Sequence, residues 1–209
     1  MPRGSQSFRT VLRFPQTCGS STPVWHDEGV EFEDPLQPYV AAALEGDDVA
    51  LSQLVRATQP AVWRLCSALG SRGAVDDLVQ ETYLRALKGL AGFRHETPVQ
   101  VWLIAIARRV CADDIRRRQR GRRLVDRLSQ YGHVAQHGQH GAEPAADSFD
   151  DLVTALAPER REAFLLTQVV GLSYAEVAAV MDCPIGTVRS RVARARADLA
   201  EAVGRAQAQ

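Results

Sequence analysis

The stretch LSYAEVAAVMDCPIGTVRSRVARARADL, residues 172–199, decides the fold of the C-terminal part of the chain. Ser173 is followed three positions later by Glu176, which is the capping-box spacing that starts a helix. Asp182, Cys183 and Pro184 end this helix after about eight residues, and proline is favoured in the first turn of a following helix. Two helices joined by so short a turn predict a helix-turn-helix unit.

The second helix of this unit has one apolar face and one face rich in arginine. At 100° per residue, the apolar face collects Ile185, Val188, Val192, Ala195 and Leu199. A salt-bridged surface helix would be free to mix acids and bases, yet residues 183–197 contain no acid. Small side chains allow close approach to a groove, hydroxyls reach phosphate, and arginines read guanine edges. We therefore predict a DNA-recognition helix, with contacts from Thr187, Arg189, Ser190, Arg191, Ala193 and Arg194.

The charges of the chain are balanced in number but separated along the sequence. The 25 basic residues equal the 25 acidic ones, so the formal net charge is zero. Between Arg13 and Arg56 there is no Lys or Arg but there are eight acids, whereas residues 108–127 hold nine arginines. A GC-rich genome also favours arginine over lysine, but arginine suits bidentate phosphate and guanine contacts. The zero net charge therefore does not exclude a nucleic-acid partner.

The sequence divides into four segments and predicts an all-α protein of two small helical domains joined by a flexible linker. Residues 1–34 are rich in Ser, Thr, Pro and Gly and predict a flexible extension, and a short strand near residues 11–14 is the alternative. Helical patterns fill residues 35–120 and 149–205, and residues 121–148 lack an amphipathic period. Four scattered cysteines, no signal peptide and no membrane span predict a cytoplasmic protein without membrane insertion.

Residues 75–88, VDDLVQETYLRALK, predict a helix that buries Val75, Val79, Tyr83 and Ala86. Its opposite face carries Asp77, Gln80, Glu81, Leu84 and Lys88. A solvated face is the ordinary interpretation, but an apolar centre with a polar rim is typical of a protein interface. Catalysis is disfavoured, because no histidine, glycine loop or third ligand joins the carboxylates here.

Residues 93–121, FRHETPVQVWLIAIARRVCADDIRRRQRG, predict a long helix with a basic C-terminal half. One face collects core residues, namely Val99, Trp102, Leu103, Ile106 and Val110. A second apolar strip of Ile104, Cys111 and Ile115 indicates that the first turns are enclosed on two sides. Asp113 and Asp114 neutralise part of the charge of Arg116–118 at helical spacing. The remaining arginines are enough for a phosphate-binding strip.

Residues 155–199 resemble region 4 of extracytoplasmic-function (ECF) sigma factors, whose pattern is LPxxxRxxxxLxxxxGLSYxEIAxxxxCPxGTVxSRxxRARxxL. Ala157-Pro158 stands in place of the Leu-Pro of that pattern. The 75–88 helix is similar to region 2.2, with its DxxQExFLR pattern at Asp77, Gln80, Glu81, Tyr83, Leu84 and Arg85. The segment from Phe93 resembles regions 2.3 and 2.4. The resemblance covers residues 36–204, with residues 35–120 as sigma region 2 and residues 149–205 as sigma region 4.

The resemblance implies a dissociable, non-enzymatic initiation subunit that binds core RNA polymerase and promoter DNA. Contacts to the beta-prime clamp helices would come from Asp77, Gln80, Glu81, Leu84 and Lys88, and the beta flap is a second implied polymerase contact. The recognition helix would read the minus-35 element. A loop at residues 94–99 would hold a flipped base, so the implied minus-10 residues are Arg94, His95, Glu96, Thr97, Arg108, Arg109 and Arg116. No cofactor and no nucleotide hydrolysis are implied, and an anti-sigma factor is a further candidate partner.

One departure from the family pattern and two alternative functions remain open at this point. Arg109 stands where the family commonly has Asn, so the base preference of the family is not implied here. A stand-alone helix-turn-helix regulator of the LuxR type, or a recombinase with a DNA-binding domain, would share only the C-terminal pattern.

The linker histidines His133, His137 and His140 lack the further ligands that a metal site needs, so no metal is predicted. The acidic residues 27–48 are a candidate shield for the arginines of the free protein.

Overall fold

A computed structural model describes residues 34–71, 73–131 and 149–207, and these contain no β-strand, as the all-α prediction requires. The helices are α1 (Gln37–Leu44), α2 (Asp48–Leu69), α3 (Val75–Gly89), α4 (Val99–Tyr131), α5 (Phe149–Thr154), α6 (Pro158–Leu165), α7 (Tyr174–Met181) and α8 (Ile185–Gln207). A 3-10 turn, Leu90–Gly92, follows α3, and a π-helical turn, Leu166–Val170, follows α6. The flexible extension at residues 1–33, with its alternative of a short strand near residues 11–14, and the three linker histidines lie outside the described residues.

Helices α2, α3 and α4 form the core of the N-terminal domain. Leu65 and Ile104 are fully buried, and every residue from 101 to 107 is buried, so the first turns of α4 are enclosed as predicted. The buried hydroxyl of Thr58 donates to the carbonyl of Leu54 at 2.8 Å and shares a hydrogen bond of 2.9 Å with the Tyr83 hydroxyl. Burial of the ring also raises the pKa of Tyr83. This polar contact is therefore satisfied at the edge of the core, and the Tyr83 hydroxyl stays neutral at ordinary pH.

The buried face of α3 is turned slightly from the predicted one. Val79 and Ala86 are buried as expected, but Val75 and Tyr83 are only half-buried. The remaining core positions are Leu78 and Thr82, and the Thr82 hydroxyl donates to the carbonyl of Leu78 at 2.7 Å. A wheel drawn from apolar residues misplaces the stripe because a buried threonine that bonds its own helix counts as polar.

In the C-terminal domain, α8 packs Val188, Val192, Ala195 and Leu199 against α6 and α7, as its apolar stripe predicts. Ile185 was predicted in this stripe but is 39% exposed, because it lies in the first turn of α8, at the edge of the domain. Gln168 is exposed, and its side-chain oxygen accepts from the guanidinium of Arg196 on α8 at 3.1 Å. The π-helical turn changes the register after α6, so that Leu166 and Val170 face the core.

The two domains pack against each other rather than standing apart. Helix α7 lies on α4, where Val101 and Ala105 meet Ala179 and Val180, and both sides belong to one continuous hydrophobic cluster. Arg108 of α4 reaches Glu162 of α6 across this boundary. The sequence predicted two domains on a tether and contained no sign of this interface.

Two segment boundaries predicted from the sequence differ from those in the structure. Helix α4 continues to Tyr131, past the expected end at residue 120, and residues 121–125 are exposed on all sides. A helix with water around it needs no apolar stripe, which is why this part was assigned to the linker. Asp34 was assigned to the flexible extension, but its side chain bonds the first residue of α4.

Candidate nucleic-acid and protein interfaces

The helix-turn-helix unit forms as predicted, and its local bonds explain why. The Ser173 hydroxyl accepts from the Glu176 amide at 3.2 Å, and the Glu176 carboxylate accepts from the Ser173 amide at 2.7 Å, which completes the capping box of α7. Asp182 ends α7 in the left-handed region with φ 51°. The carbonyl of Pro184 then accepts from Thr187 and Val188 and begins α8. The turn is thus specified by residues close together in the sequence.

The predicted recognition face of α8 is open to solvent. Arg189, Ser190, Ala193 and Arg194 are exposed, on the side away from the buried valines. Among the described residues, neither Arg189 nor Arg194 has a hydrogen-bond or ion-pair partner. Two guanidinium groups without partners in the described part of the chain, beside a small alanine and a hydroxyl, leave a surface suited to DNA phosphates and base edges.

The other two predicted residues of this face also have structural contacts. Thr187 and Arg191 are half-buried. The carbonyl of Thr187 accepts from the Ser190 hydroxyl at 2.9 Å, and Arg191 donates to the Cys183 sulfur at 3.6 Å. Burial raises the pKa of Cys183, although Arg191 opposes this shift. The contact between Arg191 and Cys183 joins the turn to α8, and Arg191 lies at the border of the exposed face.

Helix α3 exposes a second candidate surface, which we call the α3 surface: Asp77, Gln80, Leu84, Leu87 and Lys88, all exposed. Leu84 is 45% exposed and Leu87 is 44% exposed, so two leucines rather than one form its apolar centre. Sequence reasoning missed Leu87, although its position three residues after Leu84 on a helix was a signal for it. Glu81, predicted on this face, is half-buried and is held by Arg85 at 2.7 Å.

A chain of charged side chains connects α3 to α4. Arg85 bonds Glu81 and also donates to Asp113 at 2.8 Å, and Asp113 accepts from Arg116 at 2.6 Å. The hydrogen bonds from Arg85 and Arg116 lower the pKa of Asp113, and the bonds to Asp113 and Glu81 raise the pKa of Arg85. Asp114 is buried and pairs with Arg117 and Arg118. Part of the basic strip of α4 is therefore neutralised within the domain, as its spacing predicted.

The loop between the 3-10 turn and α4 presents the first group of predicted minus-10 residues. Arg94, His95 and Glu96 are exposed, and Arg94 lies 3.8 Å from Glu96. His95 has a φ of 56°, an uncommon backbone conformation for a residue other than glycine. Its ring lies 4.6 Å from the ring of Phe93, which in turn lies 5.0 Å from buried Trp102. Thr97 is half-buried beside Ala179 and Val180 of α7.

The arginines of α4 that were predicted to contact the minus-10 element form a second group. They do not form one continuous exposed surface with the loop. Arg108 donates to both carboxylate oxygens of Glu162, at 2.6 and 3.0 Å. Arg109 is half-buried and has an interaction within the protein, and Arg116 is bonded to Asp113. In this arrangement of the domains, Arg108 faces α6, so DNA contact by this residue requires the domains to separate.

The protein consists of two packed helical domains, and one of them carries a helix-turn-helix with exposed arginines. This combination defines a helical DNA-binding protein. Comparison with known families narrows this class. The family model described as Sigma-70 region 2 matches residues 54–121, and that of Sigma-70, region 4 matches residues 146–199. The match to region 2 favours a sigma factor over a helix-turn-helix domain attached to an unrelated sensor or catalytic domain. None of the described helices is long and apolar enough to cross a membrane.

Known relatives agree with both matches. The chain is 45% identical over 161 residues to the ECF RNA polymerase sigma factor SigC of Mycobacterium tuberculosis, covering 74% of this chain and 84% of that protein. It is 36% identical over 135 residues to the ECF RNA polymerase sigma factor EcfG of Rhodopseudomonas palustris, covering 64% and 73%. The chain belongs to the ECF RNA polymerase sigma factors of the sigma-70 family. Its function is therefore promoter recognition in transcription initiation.

Two solved structures share the arrangement of the helices. One is CnrH in complex with the cytosolic domain of CnrY, with a TM-score of 0.62, 27% identity and coverage of 80% of this chain and 96% of that one. The other is the sigma factor RpoE in complex with the anti-sigma factor NepR from Bartonella quintana, with a TM-score of 0.58, 31% identity and coverage of 74% and 96%. Both likenesses extend over most of the chain and therefore include both domains.

Proposed function

We propose that this sigma factor binds core RNA polymerase through the α3 surface. Leu84 and Leu87 give this surface an apolar centre, and Asp77, Gln80 and Lys88 form its polar rim. Large exposed leucines on the surface of a domain favour a partner that covers them. Arg85 is already bonded within the domain, so we assign the charged contacts with polymerase to the rim.

We infer that α8 reads the minus-35 element in the major groove. Arg189, Ser190, Ala193 and Arg194 are the central contacts, and Thr187 and Arg191 lie at the border. The observation that carries this assignment is the pair of exposed guanidinium groups without partners among the described residues. Arg205, near the C-terminal end of the same helix, is already paired with Glu201 at 3.2 Å, so we do not place it in the contact.

We assign minus-10 recognition to the 94–98 loop and the arginines that follow on α4. His95 and Arg94, both exposed, are the residues best placed to meet an unpaired base and its phosphate. Arg108 and Arg109 would join this contact once α6 and α7 have moved from α4. Capture of unpaired bases by the protein offsets the loss of stacking, so opening needs no catalytic residue and the protein is not an enzyme.

The site of action would be the cytoplasm, where promoter DNA and polymerase are found. The two structural relatives were solved with CnrY and with the anti-sigma factor NepR. We infer that this chain also binds an anti-sigma factor. Competition for the same surfaces would then decide when the sigma factor is active.

Site-specific crosslinking tests the three assignments together. A photoreactive phenylalanine is placed at Leu84, His95 or Ser190 of the full chain, and polymerase–promoter complexes are irradiated. We expect Leu84 to crosslink to beta-prime, His95 to the non-template strand near minus-10, and Ser190 to the minus-35 duplex. Val49, which is 69% exposed on α2, is the control and should crosslink to none of them. A crosslink from Leu84 to DNA, or from Ser190 only to polymerase, would contradict the assignment.

A further inference from the structure

We propose that Asp34 is a positioning residue for minus-10 recognition, because it fixes the 94–98 loop. This inference rests on the function proposed for that loop. The Asp34 carboxylate accepts from the Val99 amide at 2.7 Å and from the Leu36 amide at 3.0 Å. One side chain thus joins the beginning of the first domain to the end of the loop, across 65 positions of sequence.

The bond to Val99 is placed where a helix needs it. The first amides of a helix have no carbonyl partner within the helix, and an acidic side chain there also meets the positive end of the helix dipole. Val99 is the first residue of α4, and its side chain is fully buried. Asp34 therefore holds the point at which the loop ends and α4 begins.

The loop needs such a constraint because its own conformation is unfavourable. His95 has a φ of 56°, and backbone conformations of this kind persist only where the surrounding structure imposes them. At the N-terminal end of the loop, the Phe93 ring packs on Trp102. At the other end, the carbonyl of Pro98 accepts from the Trp102 amide at 3.1 Å, and Asp34 holds Val99. The exposed middle of the loop is thus presented between two fixed ends.

Asp34 lies outside the part of the chain that the family models match. The Sigma-70 region 2 match begins at residue 54. Residues that precede this region therefore take part in shaping the loop. We infer that Asp34 acts through the loop without touching DNA, so its replacement should weaken capture of the unpaired base and leave minus-35 binding unchanged.

The test compares full-length variants assembled with core polymerase. Asp34→Ala removes both bonds, and Asp34→Asn keeps one oxygen that can accept. Asp47→Ala is the matched control, because Asp47 caps α2 through the amides of Val49 and Ala50 at 2.8 and 3.1 Å. Fluorescence anisotropy measures the binding of a single-stranded minus-10 oligonucleotide and of a minus-35 duplex. A series of oligonucleotides, each with one abasic position, locates the captured base.

We expect Asp34→Ala to weaken oligonucleotide binding about tenfold, because of the two bonds it removes the charged hydrogen bond to the Val99 amide is the one that holds the loop. Binding of the minus-35 duplex should not change. Asp34→Asn should recover part of the loss, and Asp47→Ala should bind like wild type. The abasic position that weakens wild-type binding should have little effect on Asp34→Ala, because the base is no longer held.

Three results would overturn the inference. The first is unchanged oligonucleotide binding by Asp34→Ala, the second is an equal loss in Asp47→Ala, and the third is an Asp34→Asn variant that behaves like Asp34→Ala. Failure of the proposed function is distinguishable from these, because wild-type holoenzyme would then bind the minus-10 oligonucleotide no better than a scrambled one.

Discussion

The ion pair between Arg108 and Glu162 should stabilise the contact between the two domains by an amount that its geometry sets. The guanidinium donates to both carboxylate oxygens, at 2.6 and 3.0 Å, and the side chains are 30% and 18% exposed. Exposed pairs contribute about 0–1 kcal/mol, and removing one partner of a fully buried pair costs about 3–5 kcal/mol. Because the pair is bidentate but partly hydrated, we expect a coupling energy of about 1–1.5 kcal/mol.

A double-mutant cycle measures this coupling. Arg108→Ala, Glu162→Ala and the double variant are unfolded in urea and followed by circular dichroism, and the coupling is the departure of their free energies of unfolding from additivity. The control cycle uses Arg205 and Glu201, a pair at helical spacing with side chains 69% and 71% exposed, for which we expect about 0.3–0.5 kcal/mol. Salt at 1 M should weaken both couplings, because the Debye length then falls to about 3 Å.

An Arg108–Glu162 coupling below about 0.3 kcal/mol, which is within the error of additivity, would refute this expectation. A coupling that does not exceed that of the control pair would refute it as well. Either result would mean that the apolar contact between α4 and α7 holds the domains together without help from the ion pair.

Three further outcomes follow from the same structure. Arg189→Ala should weaken minus-35 duplex binding by the holoenzyme about tenfold, as loss of an arginine–base contact does, while Arg205→Ala should not; equal losses in a mobility-shift assay would contradict the assignment. Leu84→Asp should weaken core-polymerase binding by more than about tenfold in a fluorescence titration, whereas Val49→Asp should bind normally, and an unaffected Leu84→Asp would contradict the α3 surface. Asp113, whose pKa is lowered by its arginine bonds, stabilises the fold above the ordinary carboxyl pKa, near 4, and this contribution disappears as the pH falls through the lowered value. In acid unfolding followed by circular dichroism, Asp113→Asn should therefore lose less stability than wild type between about pH 5 and pH 2. The same loss of stability in both proteins would contradict this role of Asp113.

Local chemistry made the helix-turn-helix predictable. Ser173 and Glu176 form a capping box, and the break at residues 182–184 separates two helices, because each of these signals acts over a few residues. The buried valines of α8 followed from the helical period alone. The exposed arginines of the recognition face followed from the same wheel, because the face opposite a packed stripe is turned toward solvent.

Contacts between distant segments were not predictable from patterns of this kind. The interface of α4 with α7 uses Val101 and Ala105 on one side and Ala179 and Val180 on the other. Apolar residues look the same in a sequence whether they pack within a domain or between domains. The π-helical turn at residues 166–170 changed which residues face the core, because it breaks the period on which a wheel depends.

The candidate surfaces were predicted only in part, because they also depend on contacts between distant segments. Leu84 was identified from the polar residues around it on the helical wheel, whereas Leu87, at the edge of that face, was missed. Asp34 could not be found, because its role depends on a bond to Val99, 65 positions away. Its acidic neighbourhood was interpreted as a charge shield, but Asp34 and Asp47 are both used as helix caps. The shielding hypothesis for residues 27–48 stays a prediction, and residues 27–33 lie outside the described structure.

In vitro transcription tests the central claim most directly. Purified core polymerase is incubated with a library of genomic promoter fragments, with and without this protein, and the transcription start sites are sequenced. We predict new start sites that depend on the protein and share a minus-35 and a minus-10 motif at fixed spacing. DNA binding by the protein without any specific initiation by the polymerase would contradict the account.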